Sequence, residues 1–244
     1  MFFRQLLHEE QSCLSYVVGC QSKSACAVID PQGDPKRYIE LAERHGMKVS
    51  AVIDTHIHAD HVSSARELAN ASGATLSYGP EAKVTFPHRT LNDGDVFMVG
   101  NRQFRVFHTP GHTSEHITLL VNDWFLLTGD TLFVSDVGRV DLTTDESAPG
   151  ADASTMIEAN ARQLHASLKR LFEFPDWTEL YPAHFGGSVC GRGIGGKPVS
   201  TIGRERFKNK PTRLSLEEFI KFQLESHLAP PQDFTIIKRR NEGR

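Results

Sequence analysis

The sequence predicts an α/β fold in which helices cover two β-sheets. Segments with helical spacing occur near the beginning, the middle and the end of the chain, and strand-like apolar segments fill the intervals. The length of 244 residues is sufficient for one large domain with a substantial core. Because no repeat, low-complexity segment or linker interrupts the sequence, residues 1–244 are expected to form a single domain.

Strands are predicted where apolar residues alternate or cluster between turn residues. Residues 14–18 and 25–29 are expected to form a pair of strands. Residues 74–127 are expected to be mostly strands separated by short turns. A run of strands between helical segments fits two sheets that are covered by helices.

Helices are predicted where apolar residues have helical spacing or where capping residues open a segment. The predicted helices span residues 34–45, 63–71, 153–172 and 215–227. Ser63 or Ser64 is a suitable N-cap for the second helix. The last helix opens with Ser-Leu-Glu-Glu from residue 215, which is the pattern of a capping box.

Composition and charge argue against nucleic-acid and membrane partners. Thirty acidic and 27 basic residues give a net charge of −3, so no field of a single sign is expected. The basic residues 238–240 are too few for a nucleic-acid-binding arm and are expected to be a solvated tail. No apolar stretch approaches the roughly 20 residues that span a bilayer. Residues 1–10 contain neither an apolar signal core nor a small-residue cleavage site, so the protein is expected to be cytoplasmic and unprocessed.

The four cysteines form no CxxC pair and no zinc-ribbon spacing. Cys13, Cys20 and Cys26 lie in or beside apolar strand-like segments, where cysteine usually behaves as a small core residue. Cys190 differs, because it lies in a glycine-rich stretch, residues 185–196, that is expected to be a loop.

The most informative segment follows the apolar residues 49–53, which are expected to form a strand. Four potential metal ligands stand close together there: His56, His58, Asp60 and His61. Imidazole and carboxylate groups hold zinc, iron or manganese in proteins. A strand that ends in such a cluster places several ligands at one edge of a sheet, so the sequence predicts a metal site.

Three later side chains repeat this placement just past a strand end, near a Gly or a Pro: His112, Asp130 and His184. Their repeated placement indicates that they complete the same site. The following histidines lack it and are interpreted as structural: His8, His45, His88, His108, His165 and His227.

This pattern resembles that of the metallo-β-lactamase superfamily. The family pattern is His-x-His-x-Asp-His, followed by a His, a bridging Asp and a last His. Residues 56–61, His112, Asp130 and His184 match it in order and approximate spacing, within a resemblance that spans roughly residues 13–210. The resemblance implies a four-layer αββα sandwich.

The seven donors permit two kinds of metal site. Two ions bridged by Asp130 would suit a zinc hydrolase that activates water between them. A single iron on two histidines and one carboxylate would leave open positions for O2 and a substrate. The number of donors does not distinguish the two.

The segments around the donors resemble those of the persulfide dioxygenases of this superfamily. Gly138, Arg139 and Asp141 form a Gly-Arg-x-Asp motif behind Asp130, and residues 200–205 form a Ser-Thr-x-x-x-Glu motif behind the last His. Glyoxalase II hydrolases usually carry a longer helical segment after the last His.

Two segments depart from the animal and plant persulfide dioxygenases. Residues 134–137 read Val-Ser-Asp-Val, where those enzymes commonly contain Arg and Cys. Residues 185–196 form a longer insertion, similar to that of bacterial members with Gly-Ser-x-Cys-Gly, some of which are fused to a rhodanese domain. These departures leave the identity of the thiol carrier open.

The resemblance implies that one iron(II) per chain is held by His56, His112 and Asp130. The remaining donors are then expected to orient these ligands and to relay protons: His58, Asp60, His61 and His184. The implied reaction is the O2-dependent oxidation of a low-molecular-weight thiol persulfide, such as glutathione persulfide, to sulfite and free thiol. The alternative is a binuclear zinc hydrolase of thioesters or lactones, similar to glyoxalase II.

Four further residues are expected to support the substrate or the site. Arg139, Cys190 and Arg192 are expected to bind the substrate, and Arg139 and Asp141 are expected to brace the loop after Asp130 and so hold the geometry of that ligand. Arg192 is also expected to favour the thiolate of Cys190. No nucleic-acid or membrane partner is expected, whereas a homodimer and a separate rhodanese protein stay open as partners.

Overall fold

Two six-stranded β-sheets form the centre of the structure. The computed structural model describes residues 1–142, 152–225 and 228–244. The first sheet contains, in spatial order, β1 (Phe2–His8), β2 (Cys13–Cys20), β3 (Ala25–Ile29), β4 (Lys48–Ile53), β5 (Thr75–Tyr78) and β6 (Arg89–Thr90). The second contains β7 (Val96–Val99), β8 (Arg102–His108), β9 (Ile117–Val121), β10 (Phe125–Gly129), β11 (Glu179–Pro182) and β12 (Ser200–Thr201), also in spatial order.

Helices lie close to all four predicted positions, and the described residues contain two further α-helices, over residues 202–208 and 234–242, that were not predicted. In chain order these helices are α1 (Lys36–Arg44), α2 (Ala65–Ser72), α3 (Ala153–Leu171), α4 (Ile202–Lys208), α5 (Leu216–Leu224) and α6 (Phe234–Glu242). The capping box of α5 is confirmed, because Ser215 and Glu218 exchange both of its hydrogen bonds. At the start of α2, the backbone N–H of Ala65 donates to Ser63 Oγ. None of the helices in the described parts of the chain is both long and apolar enough to span a membrane.

Side chains that alternate along the strands create three apolar layers. In β3, Ala27 and Ile29 face the second sheet, where the central core contains Phe104 and Leu119. Their neighbour Val28 faces the opposite way. The layer that Val28 joins lies under α1 and α2, and its members include Val52, Tyr38, Ala42 and Leu68.

The second sheet is covered in the same way. Leu126 of β10 and Leu180 of β11 pack under α3 and α5, with Leu164 and Phe219 as the covering side chains. Two sheets therefore face each other, and each is covered by helices on its outer face. The expected four-layer αββα arrangement is confirmed.

Strand directions bring the expected metal ligands to one edge of the sandwich. β10 and β11 are parallel neighbours, so Asp130 and His184 leave the second sheet on the same side. β4 is parallel to β3. β2 is antiparallel to β3 and starts on the side where β3 and β4 end. Cys13, the first residue of β2, forms a β-bridge with His184, which joins the two sheets at this edge.

Residues 238–240 are solvated as expected, since Arg239 and Arg240 are exposed, but they form part of a helix instead of a tail. These residues belong to α6, and the next residue, Asn241, is only 8 % exposed. Its amide donates to the carbonyl oxygens of His58 and His61, at 2.9 Å each. Long-range hydrogen bonds from Asn241 therefore fix the helix whose basic residues face solvent. The predicted end of α5 at His227 lies outside the described residues.

Candidate metal centre

Two histidines and one aspartate converge in the space between the sheet edges. His56 Nε2 lies 3.8 Å from Asp130 Oδ2, and His112 Nε2 lies 3.4 Å from the same oxygen. The three side chains are at most 3 % exposed. Among the described residues, Asp130 Oδ2 has no hydrogen-bond partner although it is buried. Because a buried carboxylate oxygen normally has a partner, its place among ring nitrogens fits a bound cation.

The hydrogen bonds behind the two histidines leave their Nε2 atoms available as ligands. His112 Nδ1 donates to the carbonyl oxygen of Arg139 at 2.7 Å. Thr55 Oγ1 donates to Asp30 Oδ2, so it accepts from His56 Nδ1, 3.0 Å away. With hydrogen on Nδ1, each Nε2 carries the lone pair that binds metal.

Backbone geometry and a further histidine, His116, fix the third ligand, Asp130. Its backbone N–H donates to His116 Nε2 at 2.9 Å, so this histidine is neutral. Burial, and then the nearby charge of His112, lower the pKa of His116 to about 3. Gly129 has φ +50°, and a Cβ there would lie 2.4 Å from His116 Nε2. Only glycine fits before Asp130 at this approach.

The structure places His184 between two carboxylates. His184 Nδ1 lies 2.7 Å from Asp130 Oδ1, and His184 Nε2 lies 2.9 Å from Asp60 Oδ2. Burial alone would lower the pKa of His184, but the negative charge of Asp130 and its neighbours holds it well above its usual value. Both ring nitrogens therefore donate, and His184 links the two aspartates.

Asp60 is also the centre of a second group. His61 Nδ1 lies 3.2 Å from Asp60, and the Cys13 thiol donates to Asp60 Oδ2 at 3.2 Å. Although burial raises the pKa of Asp60, the charges of His61 and His184 hold it well below its usual range. The ligand atoms of Cys13, Asp60, His61 and His184 lie within 4.8 Å of one another. Cys13 is buried as expected, but beside these polar groups.

His58 packs its ring against those of His56 and His61, with centroid distances of 4.2 and 4.3 Å. Its Nε2 lies 3.3 Å from Asp30 Oδ1 and 4.0 Å from Asp54 Oδ1. The donors of His56, His112 and Asp130 form one group within 4.8 Å, and those of Asp30, Asp54 and His58 form another. The rings of His56 and His58 are therefore in contact, but their ring nitrogens lie near different carboxylates.

Arg139 is buried, with 3 % of its surface exposed. Its guanidinium makes a two-pronged contact with Asp141, at 2.6 and 2.7 Å. It also donates to the carbonyl oxygens of Val189, Leu228 and Ala229 at 2.9 to 3.1 Å. Since the carbonyl oxygen of Arg139 accepts from His112, these contacts brace the backbone that orients a ligand.

Cys190 and Arg192 lie in the predicted loop but point in different directions. The Cys190 thiol is 2 % exposed and lies within 4.8 Å of ligand atoms of Asp130 and His184. The Arg192 guanidinium lies 3.8 Å from the centre of the Phe222 ring and donates to Gln223. Burial raises the pKa of Cys190 above its usual value. The expectation that Arg192 favours a reactive thiolate is therefore wrong.

Several residues at the site were not found from the sequence, among them Asp54, which directly follows β4. His116 and Asp30 carried a usable signal, because each lies beside a strand boundary near a recognised ligand. Asn241 carried none, since it lies 180 positions from its partner His61 and follows a basic segment. Its Oδ1 also accepts from the backbone N–H of Ser63 at 3.0 Å, so one amide fixes the metal loop at several points.

Comparison with known proteins agrees with this geometry. The family model described as the metallo-beta-lactamase superfamily matches residues 8–184. The hydroxyacylglutathione hydrolase of Pseudomonas savastanoi pv. phaseolicola is 32% identical over 232 residues, which cover 90% of this chain and 77% of that protein. The chain spans about half the length of several other curated relatives that it matches.

Solved structures match nearly the whole chain. ETHE1 from Myxococcus xanthus superposes with a TM-score of 0.84 at 30% identity, covering 99% of this chain and 98% of that one. A metallo-beta-lactamase from Staphylococcus aureus superposes with a TM-score of 0.89 at 31% identity, covering 99% of this chain and 72% of that one. The fold, the buried His/Asp metal-binding site and the family match lead to one assignment. This chain belongs to the metallo-beta-lactamase superfamily.

Proposed function

We propose that this protein is an iron(II)- and O2-dependent persulfide dioxygenase that oxidises a low-molecular-weight thiol persulfide to sulfite and free thiol. The observation that carries the proposal is the grouping of ligand atoms: those of His56, His112 and Asp130 lie within 4.8 Å of one another, whereas the ring nitrogen of His58 groups with Asp30 and Asp54. Two histidines and one carboxylate suit a single non-haem iron(II) with open positions. A site that used His58 as well would resemble the three-histidine sites of zinc enzymes.

The hydrogen bonds of His184 support a single metal ion. Its two ring nitrogens are used by Asp130 and Asp60, and the bond to Asp130 also uses the second oxygen of that carboxylate. A bridging role for Asp130 and a ligand role for His184 would each require these bonds to break. The group around Asp60 therefore fits a hydrogen-bonded support better than a second ion.

The overall reaction balances as R-S-SH + O2 + H2O → R-SH + SO3²⁻ + 2 H⁺. Iron(II), when bound, supplies adjacent open positions at which O2 and the terminal sulfur can meet. His56, His112 and Asp130 would hold the ion, and their buried hydrogen bonds keep the ligand atoms oriented. The path from Asp130 through His184 to Asp60 can carry a proton away from the site.

The alternative is a binuclear zinc hydrolase of thioesters or lactones. One specific observation favours it: all seven donors are present, and Cys13, Asp60, His61 and His184 lie close enough together to hold a second ion. The likeness to hydroxyacylglutathione hydrolases supports this alternative, whereas the likeness to ETHE1 supports the dioxygenase.

The test combines metal analysis with two assays on the same preparation. The protein is loaded anaerobically with iron(II), and O2 uptake is measured with glutathione persulfide. Hydrolysis of lactoylglutathione is measured in parallel. About one iron per chain with persulfide-dependent O2 uptake and sulfite formation is expected. Two zinc ions per chain, with rapid thioester hydrolysis and no O2 uptake, would replace this proposal by the alternative.

A further inference from the structure

Two buried carboxylates outside the metal-binding group face the ring of His58. Asp30 and Asp54 have side chains that are 2 % exposed, and the His58 side chain is 1 % exposed. His58 Nε2 lies 3.3 Å from Asp30 Oδ1 and 4.0 Å from Asp54 Oδ1. At these distances two buried carboxylates attract a proton on Nε2, although neither contact has the geometry of a hydrogen bond.

Neighbouring donors hold both carboxylates in place. Asp30 accepts from the backbone N–H of Thr55 at 2.7 Å and from Thr55 Oγ1 at 3.0 Å. Asp54 Oδ2 accepts from Ser63 Oγ at 2.8 Å and from Tyr78 OH at 2.9 Å. The oxygens that face His58 therefore belong to rigid groups. They can fix the ring without moving towards it.

Three polar atoms of His58 and Asp54 lack a hydrogen-bond partner among the described residues. Asp54 Oδ1 and both ring nitrogens of His58 are buried and, among the described residues, form no hydrogen bond of good geometry. His58 is therefore chemically able to act as a ligand. Its position, rather than its hydrogen bonding, keeps it out of the group formed by His56, His112 and Asp130.

From this geometry we infer that Asp30 and Asp54 are positioning residues that hold His58 away from the metal ion and so limit the ion to two histidine ligands. The inference rests on the proposed function, because a third imidazole would fill a position that O2 or the persulfide requires. Removing the two charges would release the ring, and His58, two positions from His56, would approach the ion.

The test counts imidazoles on the metal instead of relying on turnover. X-ray absorption spectroscopy of the iron-loaded protein should give two histidine ligands in the wild type and three in the Asp30→Asn/Asp54→Asn double variant. After loading with equimolar iron(II) and zinc(II), the bound zinc-to-iron ratio should rise several-fold, since three histidines suit zinc. Asn is nearly isosteric with Asp, so the hydrogen bonds from Ser63 and Tyr78 to position 54 can be kept, whereas Asp30→Asn leaves one acceptor oxygen where Thr55 now uses two.

A matched control separates this role from a loss of stability. Glu205 is a fully buried carboxylate that accepts from Ser135 and Asn209 and contacts no metal-site histidine. Glu205→Gln should destabilise the fold and leave the number of histidine ligands on the metal ion at two. If the double variant does not fold, Asp54→Asn alone should still raise the count, because the hydrogen bonds of Asp54 Oδ2 can persist.

A second background shows whether the effect passes through His58. When His58 is replaced by alanine, the Asp30 and Asp54 changes should no longer alter the number of histidine ligands on the metal ion or the preference for zinc over iron. A count that stays at two in the folded double variant would overturn the inference. So would a rise that persists without His58, or a second ion that is lost when Asp30 is changed. If the wild type hydrolyses thioesters with two histidines on each ion, the proposed function fails while the positioning role stands.

Discussion

Replacement of Arg139 by lysine is a direct test of how the site is braced. Lysine keeps the charge but replaces a planar group with five N–H donors by one with three. The Arg139 guanidinium donates to both oxygens of Asp141 and to the carbonyl oxygens of Val189, Leu228 and Ala229. A lysine ammonium cannot reach all of these acceptors at once.

The size of the effect follows from the bonds that are lost. A hydrogen bond to a charged group contributes about 1.5–3 kcal/mol, and lysine loses at least two such bonds. The acceptors at Leu228 and Ala229 are near the surface and can rebind water, so a loss of about 3 kcal/mol is expected. For a chain of this size that corresponds to a fall of roughly 6–12 °C in Tm.

Activity should also fall, because the carbonyl oxygen of Arg139 accepts from His112 at 2.7 Å. A displaced ligand can cost on the order of 10- to 100-fold in kcat/KM. The control is Arg170→Lys, since Arg170 makes a two-pronged contact with Asp93 at the surface, where such pairs contribute about 1 kcal/mol or less. Equal Tm values and kinetics for Arg139→Lys and the wild type would refute the bracing role.

Four further predictions concern single side chains. His112→Ala should lose iron and activity, whereas His58→Ala should keep the iron; metal analysis of both checks this. His116 has a pKa lowered to about 3, so its contribution to stability is present above pH 6.5 and is lost as the pH falls. Urea unfolding of the metal-free protein gives the free energy of unfolding at pH 6.5 and at pH 4.5. Between these values the free energy should fall by about 2–3 kcal/mol less in His116→Gln than in the wild type. Asn241→Ala should lower iron affinity and Tm, as measured by metal titration and calorimetry, because two backbone carbonyls lose their donor. Cys190→Ser should change KM for thiol persulfides and leave iron content intact, and identical kinetics across several carriers would remove Cys190 from substrate binding.

Much of the fold was predictable because its signals are local. The alternation in β3 and the apolar run of β4 identify strands without knowledge of their partners. The capping box at Ser215 fixes the start of α5 within one turn. Placement of the donors just past strand ends likewise predicted a common site, since parallel strands such as β10 and β11 end at one edge.

Other parts depend on contacts that no local pattern carries. β1 was not predicted, because it is an edge strand whose exposed residues resemble a polar N-terminal segment. The C-terminal helix α6 has a basic face typical of a solvated end, and only Asn241 and Glu242 are buried against the rest of the chain. The Glu242 carbonyl oxygen accepts from Thr85 N at 2.8 Å, a partner more than 150 positions away. Such pairs require the tertiary fold.

The chemistry of the site likewise depends partly on local sequence patterns and partly on tertiary contacts. The potential metal ligands lie in one short motif and at three later positions. This set of side chains suits both oxidation at iron and hydrolysis at zinc. The proposal of oxidation at iron rests on the directions in which His58 and His184 face. His58 is oriented by Asp30, which leaves β3 and is itself held by Thr55. His184 is oriented by Asp60 across the gap between the sheets. Because each orienting partner lies on another segment, a close relative with an identical motif can differ in metal and reaction through changes outside it. Asp30 and Asp54 are therefore the positions at which dioxygenases and hydrolases of this fold should first be compared.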